Sequence, residues 1–85
     1  MYDVTLTQRA TRHLRRIRGR DLGRIVSAMT SLENDPRPRG VTHLVGDTHR
    51  IRVGDWRVIY KVTDAESEVV VTDILRRNER TYRNI

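Results

Sequence analysis

The sequence predicts an α+β fold of order β-α-α-β-β-β, with a helical hairpin packed on one face of a twisted antiparallel sheet and a short C-terminal helix or tail. Three observations predict it. The N-terminal half holds two stretches of helical apolar spacing joined by a very short connection. The C-terminal half holds three stretches that alternate with period two. Between the first two of those, in "HRIRVGDWRVIYKV", Gly54-Asp55 forms a two-residue hairpin connection with Gly in the first central position.

The first element is a short strand over residues 2–6, where Tyr2, Val4 and Leu6 alternate with Asp3 and Thr5. Thr7 is a good N-cap for a helix through "QRATRHLRRIR". Ala10, Leu14 and Ile17 form its apolar stripe, arginines from Arg9 to Arg18 cover much of the rest, and Gly19 is expected to close it. A second helix starts around Asp21, with Leu22, Ile25, Val26, Met29 and Leu32 at helical spacing. Asn34, Asp35 and Pro36 end it, because proline disfavours a helical residue before it. "PRPRG" is a loop, and "THLVG" is a lead-in or a short extra pairing. Strands follow at about 48–53, 56–62 and 67–75, with a turn at 63–66. The whole chain, 1–85, reads as one domain with no repeat and no linker.

Period two decides what the strands show to each side. Ile51, Val53, Val58, Tyr60 and Val62 form an apolar face for the helices, joined by Val69 and Val71 or by Val70 and Ile74. Arg50, Arg52, Arg57 and Lys61 then project from the other face. Like charges opposite one another on a sheet are unfavourable. Stability alone gives no reason to gather them, and a bound polyanion does. The wider composition agrees. The formal net charge is +6, from 17 basic and 11 acidic residues, and every basic residue except Lys61 is arginine. Arginine offers a planar fork of donors that fits phosphate. Such a balance points to nucleic acid, acidic protein or an anionic surface.

Other classes are excluded. There is no Cys, hence no disulfide framework and no thiolate metal site. His13, His43 and His49 lack a metal-ligand spacing, so neither metal nor cofactor is expected. No apolar run resembles a signal peptide or approaches the ~20 residues of a membrane helix, so a cytoplasmic protein is expected. With 36% hydrophobic residues and no Phe, the core is small, and a stabilising partner is expected.

Together with the element order, "HLVGDTHRIRVGDWRVIY" and the ending "RRNERTYR" resemble the RelE/ParE toxin superfamily of type II toxin–antitoxin modules, over essentially the whole chain. The resemblance implies a small basic toxin neutralised by an acidic antitoxin. Its RelE branch implies a metal-independent endonuclease that acts on mRNA in the ribosomal A site, against 16S rRNA, with operator DNA met only through the antitoxin. Its ParE branch implies a DNA gyrase inhibitor without nuclease chemistry. A third reading is a decayed toxin that only binds its antitoxin. For the RelE-like reading, which is favoured, the resemblance assigns Arg52, Arg57, Arg77 and Tyr82 to catalysis and Arg50, Lys61, Arg76 and Arg80 to RNA binding. Some family members carry Lys on the first hairpin strand where this chain has Arg. Arginine stays charged and is a poor general base. That leaves His49, Glu79 and Tyr82 as open alternatives for the base, with His49 on the wrong strand parity to share a face with Arg50 and Arg52. Trp56 is expected to be a core or rim aromatic.

Overall fold

The computed structural model is described for residues 1–77. It contains strand β1 (Asp3–Leu6), helices α1 (Gln8–Arg15) and α2 (Gly19–Ser31), strands β2 (Thr42–His43), β3 (Thr48–Val53) and β4 (Trp56–Thr63), a 3₁₀ turn at Asp64–Glu66, and strand β5 (Glu68–Arg76). The five strands form one sheet in the order β1-β5-β4-β3-β2, and both helices cover the same face.

Thr7 caps α1 as its position suggests. Its Oγ1 accepts the Ala10 N–H at 3.2 Å and donates to the Thr72 carbonyl at 3.1 Å, so one hydroxyl serves the helix and the last strand. Arg12, His13 and Arg15 lie in the last turn, where cations suit the helix dipole. α1 ends before Gly19, at Arg16, whose N–H turns back to the His13 carbonyl. Gly19, at φ +64°, instead opens α2. It allows the chain to reverse within three residues of α1.

The sheet is mixed, where a wholly antiparallel one is expected from the sequence. β2 to β5 pair antiparallel, but β1 lies parallel to β5, with Asp3 beside Glu68 and Leu6 beside Val71. The reason is where α2 delivers the chain. Its C-terminal end returns to the start of β1, where the Tyr2 N–H donates to the Glu33 carbonyl at 2.7 Å. After the short, oppositely directed β2, β3 runs in the direction of β1, and two hairpin reversals later β5 runs that way again.

Ala10, Ile17, Ile25, Met29 and Leu32 from the helices pack on Val58, Tyr60, Val62, Val69, Val71 and Ile74 from the sheet. Val26, expected on this stripe, is exposed. A β-bulge explains how Val69, Val71 and Ile74 share a face despite their spacing. Tyr60 opposes Val71 and Ile59 opposes Asp73, so Thr72 is the extra residue. Its hydroxyl donates to the Ile59 carbonyl at 3.3 Å. The Tyr60 hydroxyl reaches across the core and donates to the Pro36 carbonyl at 2.7 Å. Burial pushes that phenol up to about 12. At the same end of the sheet Arg37 forks onto Asp64 at 3.2 and 2.9 Å, and Tyr2 donates to it at 2.7 Å. Those bonds hold the Asp64 carboxyl below its usual range. Among the described residues no helix is long and apolar enough to cross a membrane.

A cationic face on the sheet

The hairpin of β3 and β4 positions the cations. Val53 pairs with Trp56, and Gly54 adopts φ +60°, which closes the turn in two residues. The register places Arg52 directly opposite Arg57, Arg50 opposite Ile59, and Thr48 opposite Lys61. Val58, Tyr60 and Val62 face the helices, so Arg50, Arg52, Arg57 and Lys61 lie together on the outer face.

That face is less open than alternation alone suggests. Arg57 is only 7% exposed, and Ile59 and Leu75 beside it are also buried. β4 is the middle strand, so its side chains are flanked on both sides. Arg57 has Arg52 on one neighbouring strand and Leu75 on the other. Its Nη1 donates to the Trp56 carbonyl at 3.1 Å. Among the described residues no carboxylate lies within ion-pair distance of it. Asp73, two positions before Leu75, is engaged by Arg9 of α1 at 3.3 Å. A nearly buried guanidinium, opposite a second cation and unmatched by an acid among the described residues, is a costly arrangement for a fold to hold. It is also a preorganised donor for an anion.

The structure separates other candidates from this cluster. Arg76 pairs with Trp56 on the helix side, with its guanidinium 4.9 Å from the ring centroid. The indole N–H donates to Asp21 at 3.1 Å, which makes Trp56 part of the rim of the core. Arg77 follows β5, and its backbone N–H donates to the Asp55 carbonyl at 2.7 Å, next to the hairpin turn. Lys61 and Arg52 are exposed, and Arg50 is half-buried. Glu79, Arg80 and Tyr82 lie outside the described residues. His49 sits opposite Tyr60 on the helix side. Its ring stacks on that of Tyr60 at 5.6 Å, and its Nδ1 meets the Asp47 carbonyl at 2.9 Å. Burial lowers its pKa, and it does not face the cations. Two arginines that the sequence reading did not single out, Arg20 and Arg24 on α2, line a groove with Arg52. Their i, i+4 spacing marks one helix face; that this face meets the hairpin is visible only in three dimensions.

Comparison with known proteins places this geometry. A sequence profile described as the ParE toxin of type II toxin–antitoxin systems, parDE, matches residues 4–81. The chain belongs to the ParE toxin family. Solved structures place that family member on the RelE fold. The isolated RelE toxin of E. coli superimposes with a TM-score of 0.81 at 17% identity, covering 96% of this chain and 92% of that one. A chain of the archaeal RelE–RelB complex from Pyrococcus horikoshii OT3 gives 0.79 at 25% identity, covering 92% and 97%. A chain of the toxin–antitoxin complex RelBE2 from Mycobacterium tuberculosis gives 0.77 at 28% identity, covering 92% and 93%. The chain is thus a toxin of the RelE/ParE superfamily. No curated protein sequence matches it.

Proposed function

We propose that this toxin is a ribosome-dependent mRNA endonuclease. The observation that carries the reading is Arg57: nearly buried, opposed by Arg52, and without a carboxylate among the described residues. A phosphate supplies the missing charge. In the proposed reaction the ribose 2′-oxygen attacks the adjacent phosphorus and the 5′-oxygen leaves, giving a cyclic phosphate and a 5′-hydroxyl. The 2′ proton passes to a base, and the leaving oxygen gains one. Arg57 and Arg52 stabilise charge on the phosphate oxygens, and Arg50 and Lys61 hold the strand. None of the three arginines serves as the base, because they stay charged. Arg77 and Tyr82 are assigned to catalysis by the family resemblance alone, with Tyr82 one of the open alternatives for the base.

An acidic antitoxin is the expected partner, since matched chains come from toxin–antitoxin complexes and this chain is basic. The ribosome, with its 16S rRNA, is the expected platform. A second reading has its own support: the matching profile is that of ParE, which makes inhibition of DNA gyrase the alternative. The test is direct. Purified toxin is added to mRNA-programmed ribosomes and, separately, to gyrase with relaxed plasmid. Cleaved mRNA with a cyclic phosphate end supports the nuclease. Intact mRNA with blocked supercoiling refutes it in favour of the second reading.

A further inference from the structure

Arg52 belongs to two surfaces. On the sheet it opposes Arg57. At the edge of β3 it also lines a groove of about 580 Å³ between α2 and the hairpin turn, together with Arg20 and Arg24. β2 pairs only with His49 and Arg50, so among the described residues no strand covers this edge of β3. The groove has a floor of small residues, Gly23 and Ser27 on α2 and Gly54 at the turn. A side chain at Gly23 would meet nothing within 4 Å, so the helix backbone is open to close approach. The Arg24 guanidinium lies against Gly54, where an ideal Cβ would be 3.2 Å from its Nη1. Glycine at that position therefore closes the turn and seats Arg24.

Among the described residues none of these three arginines is in an ion pair, and no carboxylate lines the groove. Asp21, on the same helix, is occupied by the Trp56 indole. We infer that the groove is a second phosphate subsite, taking the backbone of the RNA strand that crosses the sheet face, with Arg52 as the link between the two. The inference rests on the sheet face being an RNA surface, and it extends that surface around the edge of β3 onto α2. Three guanidinium groups over a shallow floor suit a chain of phosphates, which need charge and forked donors and no deep pocket. The contacts reach no base edge, so they add affinity and register without sequence choice.

The test uses the full-length toxin and a labelled single-stranded oligouridylate, with affinity measured at stepped salt concentrations. Each phosphate contact on a single strand contributes about 0.7 to the slope of log K against log salt. The Arg20→Gln/Arg24→Gln variant should lower that slope by ~1.4. Between 50 and 200 mM salt it should then lose ~7-fold less affinity than the parent loses. Gly23→Glu keeps the test independent of folding. Glu favours helix where Gly does not, so this variant should melt higher than the parent and still bind RNA more weakly. Arg57→Gln reports on the sheet face separately. Parent slope and affinity in the α2 double variant, with weakened binding in Arg57→Gln, overturn the groove and keep the sheet face. The reverse pattern retires the sheet face and keeps the groove. A parent with no salt-dependent RNA affinity overturns both. A double variant with unchanged RNA binding but lost affinity for a polyglutamate peptide makes the groove a protein site and overturns the RNA assignment.

Discussion

Replacing Arg57 by Met is expected to stabilise the toxin and inactivate it together. Arg57 is 7% exposed, its neighbours Ile59 and Leu75 are buried, and the residue opposite is another cation. Directly opposed residues have Cβ atoms about 5 Å apart, from which long side chains splay. Two unit charges about 8 Å apart in an effective dielectric of about 20 repel by ~2 kcal/mol. Salt leaves about half of this. Met has a similar length, fills the space beside Ile59 and Leu75, and removes both the repulsion and the burial of charge. Its one loss is the hydrogen bond to the Trp56 carbonyl, worth about 1 kcal/mol. The relieved repulsion and the lost bond roughly cancel, so the gain is the relieved desolvation of the guanidinium, on the order of 1 kcal/mol at this partial exposure, or roughly 4–8 °C in melting temperature. The loss of a charged donor aimed at the phosphate should lower single-turnover cleavage by ~10²-fold or more. Differential scanning calorimetry and cleavage on programmed ribosomes read the two effects. A variant that melts well below the parent would show that Arg57 is part of the framework. One that cleaves at the parent's rate would remove it from the site.

Three further outcomes follow from the packing. Tyr60→Phe leaves the Pro36 carbonyl without its buried donor and should destabilise by about 1–2 kcal/mol. The parent should also lose stability as pH rises from 10 towards about 12, because a phenol raised from 10.0 to about 12 by burial favours the folded state only while protonated; alkaline melts of Tyr60→Phe should lack that step. His49, lowered by burial from 6.5, favours the folded state above that pH; stability should therefore fall as the solution is acidified below 6.5, and His49→Leu should flatten the dependence in thermal melts. Gly54→Ala places a Cβ at φ +60° and against Arg24, and should cost about 1–2 kcal/mol by urea titration, where an unchanged midpoint would contradict the turn geometry.

What was legible in the sequence was what depends on neighbours along the chain. Thr7 as a cap, the two-residue turn at Gly54-Asp55, and the alternation that sends Arg50, Arg52, Arg57 and Lys61 to one side all follow from local spacing. The parallel pairing of β1 with β5 does not, because it is decided by where α2 ends. The phase of β5 stayed open between Val69 with Val71 and Val70 with Ile74, since the bulge at Thr72 breaks period two. Burial of Arg57 depends on the strands either side of it, and the loss of Arg76 to Trp56 depends on a pairing across 20 positions. Arg52 meets Arg20 and Arg24 only after the hairpin folds over α2. Arg80 and Tyr82, which the family resemblance assigns to the site, fall outside the described residues, so their assignment rests on that resemblance alone.

The edge position of β1 bears on how the toxin comes into being. Thr7 and Thr72 are joined across 65 residues, and Asp3 to Leu6 find their partner only in Glu68 to Val71. A chain that emerges N-terminus first holds β1 unpaired until β5 has been made. Closing so long a loop is slow relative to forming either hairpin. The α1–α2 pair and the β3–β4 hairpin can form during translation, but the sheet that seats them is sealed late. The sheet is therefore incomplete until β5 has been made, and until β1 docks the edge of β5 that it covers stays open.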